Sequence, residues 1–297
     1  MPGIELHRLT KRYAEVTALD GLTAEVAPGR ITAFLGANGS GKTTTMRLLL
    51  GLSAPDAGRA TVGGRRYVDL AHPTRTVGAV LDQGFHPNRS ARSHLRIAAA
   101  QARVPTYRVE EVLDLVGLTA VARRRVGGFS LGMRQRLALA SALVGDPGVL
   151  VLDEPFNGLD PAGIATMREF LRGFADGGGT VFLSSHLLAE VAHSADDAIV
   201  IHRGRLVSAG PVSELTRGAR GVVVTTVDAD LLALTLAARG ATVERTGADT
   251  LTVTGADRAQ VGRAAADIGA VVTDLHGVAD DLESAFAELI HHQEATP

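Results

Sequence analysis

The sequence predicts an α/β fold over its first two thirds and a small α+β domain at its end. Three observations carry this. Short, largely apolar runs recur between helix-like stretches, as buried strands do. Residues 4 to 30 instead alternate apolar and polar positions between turn signals, as in a partly exposed antiparallel sheet. Beyond residue 220, strand and helix signals follow in the order β-α-β-β-α-β, a split βαβ pattern.

At 297 residues, the chain is long enough for about two domains, read here as 1–218 and 219–297. Its 45% hydrophobic content suits a packed core, and a formal charge of −2 gives no global basic field for nucleic acid. The absence of cysteine removes disulfides, thiolate metal sites and thiol nucleophiles. No run approaches the roughly 18 apolar residues of a membrane span, and the start has no signal pattern. The expectation is a soluble, cytoplasmic chain whose membrane part, if any, is another polypeptide.

Taken in order, Tyr13 is the one aromatic of the alternating stretch. Its face suits a base, and equally suits a half-buried strand position. Ile31 to Leu35 then reads as a buried strand, followed by Gly36-Ala37-Asn38-Gly39-Ser40-Gly41-Lys42-Thr43 and a helix from Thr44 that stops at Gly51. Strand, glycine-rich turn and helix start are the context of the phosphate-binding P-loop. Its inward N–H groups form an anion nest at a helix's positive end. Lys42 would reach the β- and γ-phosphates, and the Thr43 hydroxyl would sit on Mg²⁺.

Residues 53 to 75 read as turn-rich, and Val77 to Leu81 as a short strand running into Asp82-Gln83. Val109, Val112, Leu113 and Val116 mark one helix face, ended by Gly117. Ser130 is a good N-cap for a helix through Val144, and with Gly132 offers a second anion-binding start. Val149 to Leu152 is a buried strand ending in two carboxylates. Asp153 there can hold Mg²⁺ directly or through its water shell, and Glu154 can orient or deprotonate an attacking water. A helix follows Asp160-Pro161, and the strand Thr180 to Leu183 leads to His186, placed to hydrogen-bond a γ-phosphate. The other nine histidines show no metal-ligand spacing.

These stretches, in this order and spacing, resemble the ATP-binding subunits of ABC transporters over residues 4 to about 215. The fold so implied is a P-loop NTPase (ABC ATPase) with an antiparallel β subdomain, a helical subdomain and the α+β C-terminal domain. The resemblance implies that Tyr13 stacks on adenine, that Gly36 to Thr44 hold the phosphates, and that Thr43 and Asp153 place Mg²⁺. Glu154 would act on water and His186 would sense the γ-phosphate. Ser130 and Gly132 would close on ATP bound to a second copy, with Asp160 at the seam of that head-to-tail homodimer.

Two positions depart from the family pattern. Phe129-Ser130-Leu131-Gly132-Met133 stands where Leu-Ser-Gly-Gly-Gln is usual, keeping the serine and second glycine. Asp82 stands where glutamine is usual, with Gln83 next to it. As an oxygen anion, Asp82 is the better Mg²⁺ ligand of the two.

The variants at 82 and 129–136, and a tail of this size, resemble the daunorubicin-resistance branch of drug-efflux subunits. That implies a separate polytopic permease, a site of work on the inner face of the cell membrane, and export of an antibiotic or lipid-like compound. The alternative is a soluble ABC ATPase with a regulatory role; no coiled-coil insertion or basic stripe favours it. In the tail, Leu282, Phe286, Leu289 and Ile290 give an apolar helix face expected to cover the small domain's own sheet.

Overall fold

The computed structural model describes residues 1–81, 84–185, 188–215 and 221–277. The chain divides into two compact units, residues 1–209 and 210–297.

In the first unit, β1 (Ile4–Tyr13) and β2 (Val16–Val26) form an antiparallel hairpin. β3 (Ile31–Leu35) is buried at every residue and leads into α1 (Lys42–Leu49). β4 (Ala57–Val62) pairs antiparallel with the other edge of β1, giving the order β2-β1-β4. The stretch expected to be turn-rich therefore contains a strand. Its Gly58, at φ 77°, lets β4 pass close to the backbone carbonyls of His7 and Arg8, where a side chain would collide.

After α2 (Pro73–Thr76) and β5 (Val77–Val80), the helical region comprises α3 (Ala91–Ala102), α4 (Tyr107–Leu115) and α5 (Leu131–Leu143). The expected apolar face of α4 is buried at Val109, Val112 and Leu113, and Gly117 follows at φ 66°. β6 (Val149–Leu152), α6 (Pro161–Asp176), β7 (Thr180–Ser185), α7 (Leu188–Ser194), β8 (Asp197–His202) and β9 (Arg205–Pro211) complete the unit. The six-stranded sheet has the order β5-β6-β7-β3-β8-β9 and is parallel from β5 through β8. β9 returns through a tight turn in which Arg203 and Gly204 both have positive φ.

The antiparallel sheet and α1 share one core with the parallel sheet. Ile4, Leu6, Leu22 and Val26 pack with Met46 and Leu49 against Phe34, Phe182, Val151 and Ile199. Side chains alternate across the strands, so Ala33 and Leu35 face the other way, where α6 and α7 pack on β3. The carboxyl ends of β3, β6 and β7 thus lie side by side, the edge at which open α/β sheets place their ligands.

The second unit opens with α8 (Val212–Leu215) and continues through β10 (Gly221–Thr226), α9 (Ala229–Ala238), β11 (Thr242–Arg245), β12 (Thr250–Thr254), α10 (Arg258–Asp267) and β13 (Val272–Gly277). The sheet order is β11-β12-β10-β13, all antiparallel. Val222, Val224, Leu251 and Val253 pack under Leu232 and Leu236 of α9 and Val261 and Ala265 of α10. The sheet's apolar face is thus covered by these two helices. The apolar face at 282–290 lies outside the described residues.

Candidate functional site

The loop from Gly36 to Gly41 curls because two of its glycines admit no side chain. At Gly41, φ 110° is left-handed, and a Cβ would lie 2.6 Å from the Ala18 carbonyl oxygen and 2.7 Å from Leu19 Cδ2. At Gly36, a Cβ would collide with Ser40 Oγ and lie 2.6 Å from the Ile201 carbonyl oxygen. Gly41 caps α1, accepting hydrogen bonds from both the N–H and the hydroxyl of Thr45 at 2.9 Å. Lys42, only 7% exposed, lays its ammonium back along the loop and donates to the carbonyls of Gly36 at 2.6 Å and Ala37 at 3.3 Å. Burial pushes its pKa below the usual lysine value, while the charges of Glu154 and Asp153 partly restore it.

Facing the loop across β7, Asp153 is held by two hydroxyls. Thr43 Oγ1 donates to its Oδ2 at 2.7 Å, and Ser184 Oγ donates to its Oδ1. Ser184 Oγ also accepts the N–H of Glu154 at 2.9 Å. Glu154 itself sits at φ 51°, a conformation that costs a non-glycine residue on the order of 1–3 kcal/mol. A strained carboxylate pinned at a cleft is an arrangement that persists where surrounding contacts over-determine it. Ser184 was not among the sequence-derived candidates. Gln135 was not either; its buried amide donates to the Pro155 carbonyl at 2.9 Å and so ties α5 to the turn after Glu154.

Together Ala18, Asn38, Gly39, Gly41, Lys42, Thr43, Thr44, Asp153 and Glu154 line a cleft of about 300 Å³. The donor set fits phosphates and a small hard cation. A loop of free N–H groups and one ammonium suits oxyanions, while a hydroxyl and one carboxylate suit Mg²⁺ that keeps most of its shell as water and phosphate oxygen. The Ser40 hydroxyl, 4% exposed, has no hydrogen-bond partner among the described residues and lies inside this same loop.

Tyr13 stands outside the cleft lining, 46% exposed, with the Lys11 ammonium 5.3 Å from its ring centre. Ser130, Gly132 and Asp160 come together elsewhere. They line a second groove of about 700 Å³ between α5 and α6 that shares no residue with the P-loop cleft. Ser130 caps α5 by accepting from the Met133 N–H at 3.2 Å, and Asp160 caps α6 by accepting from the Gly163 N–H at 2.9 Å. Asp82, Gln83 and His186 lie outside the described residues. No described helix is long and apolar enough to cross a membrane.

Comparison with known proteins agrees with this geometry. The family described as ABC transporter matches residues 19–157, and a domain of unknown function, DUF8746, matches residues 220–283. The bacitracin transport ATP-binding protein BcrA of Enterococcus faecalis is 35% identical over 97% of this chain and 96% of its own. The daunorubicin resistance ATP-binding protein DrrA3 of Streptomyces coeruleorubidus is 39% identical over 69% of this chain and 67% of its own. Among solved structures, an ATP-binding subunit of an ABC transporter superposes with a TM-score of 0.66 at 27% identity, covering 72% of this chain and 92% of that one.

Proposed function

We propose a function from one premise: this chain belongs to the ABC transporter family, as one of its ATP-binding subunits. It is an ATPase that energises an efflux transporter. We read its cargo as an antibiotic or lipid-like compound, carried by a separate polytopic permease, since its relatives are named for bacitracin transport and daunorubicin resistance. The subunit then works on the inner face of the membrane.

The observation that carries the mechanism is the hydrogen-bonded set Thr43–Asp153–Ser184–Glu154 beside the P-loop. In this reading the loop N–H groups and Lys42 bind the phosphates of ATP. Thr43 and Asp153 hold Mg²⁺, which neutralises charge on the transferring phosphoryl group when bound. Glu154 takes the proton of the attacking water. Tyr13 lies under adenine, and Asp82 and His186 face the cation and γ-phosphate. Ser130, Gly132 and Asp160, gathered in their own groove, serve the nucleotide of a second copy, so the active form is a head-to-tail homodimer enclosing two ATP molecules.

The test is Glu154→Gln. General-base catalysis is worth about 10²–10⁴ in rate, so phosphate release should fall at least about 100-fold while ATP binding persists. With ATP, the variant should sediment as a dimer and co-purify from solubilised membranes with a multi-span protein. Turnover at the parental rate would remove Glu154 from the role of base. A soluble dimer without a membrane partner would favour the regulatory ATPase instead.

A further inference from the structure

Residues 84–145 carry ten arginines, no lysine and three carboxylates, inside a chain whose total charge is −2. Two of those carboxylates are already engaged within the region, Glu110 by Arg92 and Glu111 by Arg108, each at 2.7 Å. The fold then concentrates part of the excess. The segment leading into α3 runs antiparallel beside the segment leading toward α5. Ser90 bridges Arg125, the Arg92 N–H donates to the Ala122 carbonyl at 2.9 Å, and the Val126 N–H donates to the Arg89 carbonyl at 2.9 Å. Arg89 is thereby set against Arg123, Arg124 and Arg125, with Arg96 just over one turn into α3. All five are exposed, and none makes an ion pair with another described residue. The N-terminus of the twelve-residue α3, capped by Ser90, adds its positive end to the same surface.

We propose that this arginine surface binds the anionic headgroups of a phospholipid bilayer. None of the five arginines lines either groove described above, so the array presents charge density rather than a shaped recess. Guanidinium groups pair with phosphodiester oxygens in bidentate fashion, and clusters of four to eight such residues are held by anionic membranes. The choice of a bilayer over another polyanion rests on the reading that the chain works beside a membrane. Binding here supplements the permease contact and orients the ATPase unit while it turns over.

The test is sedimentation of the full chain with vesicles of phosphatidylglycerol and phosphatidylcholine, against phosphatidylcholine alone, at low and raised salt. The parent should bind the anionic vesicles only, and lose them as salt rises. Each basic group near the surface is worth roughly fivefold in affinity, so Arg123→Gln/Arg124→Gln/Arg125→Gln should weaken binding on the order of a hundredfold. Arg89→Gln/Arg96→Gln should weaken it by about twenty-fold on the same scale, and the triple lysine variant should retain it. ATP hydrolysis in solution should stay at the parental rate in all three. Equal binding to neutral vesicles, no binding to either, or tighter binding to duplex DNA at the same salt would overturn the inference. A loss of ATPase activity with lipid binding intact would count against the assigned function and leave the surface standing.

Discussion

Asp153 takes one hydrogen bond from the phosphate loop and one from β7, so its position depends on both. Ser184 is the more consequential of the two hydroxyls, because the same oxygen holds the Glu154 N–H in its left-handed turn. Hydrogen bonds to charged groups are worth about 1.5–3 kcal/mol. Ser184→Ala should therefore lower ATP turnover about ten- to a hundredfold and raise the Mg²⁺ concentration needed for half-maximal rate. Binding of ATP without the metal should change little, and Ser184→Thr should recover most of the loss. A Mg²⁺ titration of the alanine variant that overlays the parent would show that Ser184 merely fills space. The loop, Asp153 and Glu154 were legible in the sequence because their chemistry is written at fixed short spacings. Ser184 was not, since its contact spans 31 residues and depends on β7 lying beside β6, a pairing that no local pattern declares.

At the scale of elements, helix α5 brings Ser130 to its groove and is seated directly on β5. A Cβ at Gly78 of β5 would collide with the Ala142 carbonyl and lie 2.9 Å from Pro147 Cγ. Overpacking of this kind costs typically 1–3 kcal/mol. Gly78→Ala should lower the melting temperature of the first unit by several degrees and shift Ser130, readable by calorimetry and by weakened ATP-dependent dimerisation. An unchanged melting curve would mean that α5 slides without cost. The helices of this region were legible from their apolar period and caps. β4 was hidden because Gly58, Gly63 and Gly64 signal turns, whereas Gly58 serves a close backbone approach where β1 shifts register between His7 and Thr10. β8 and β9 join the same sheet without a chemical motif of their own, so no local pattern declares them.

Across the whole molecule, each unit has its own core, the second built from about half as many buried apolar residues as the cluster shared by the two sheets of the first. The division falls at 209/210, where the sequence suggested 218/219. Leu232 of α9 is fully buried against the sheet, and Leu→Ala at such a site costs about 2–5 kcal/mol. Leu232→Ala should speed amide exchange throughout 221–277 and leave the slow amides of β3, β6 and β7 protected; equal loss in both units would show that they unfold together. The strand order of the first unit has one more consequence. β7 lies between β3 and β6, so two strand widths, about 10 Å, separate the phosphate loop from the carboxylate turn. That interval is set by side chains that touch no nucleotide, such as Phe182 of β7 packed on Phe34 of β3 with ring centres 5.1 Å apart. The strand thus works as a gauge block between the two halves of the site. Phe182→Ala, a change beneath the site that alters no residue lining it, should accordingly slow phosphate release.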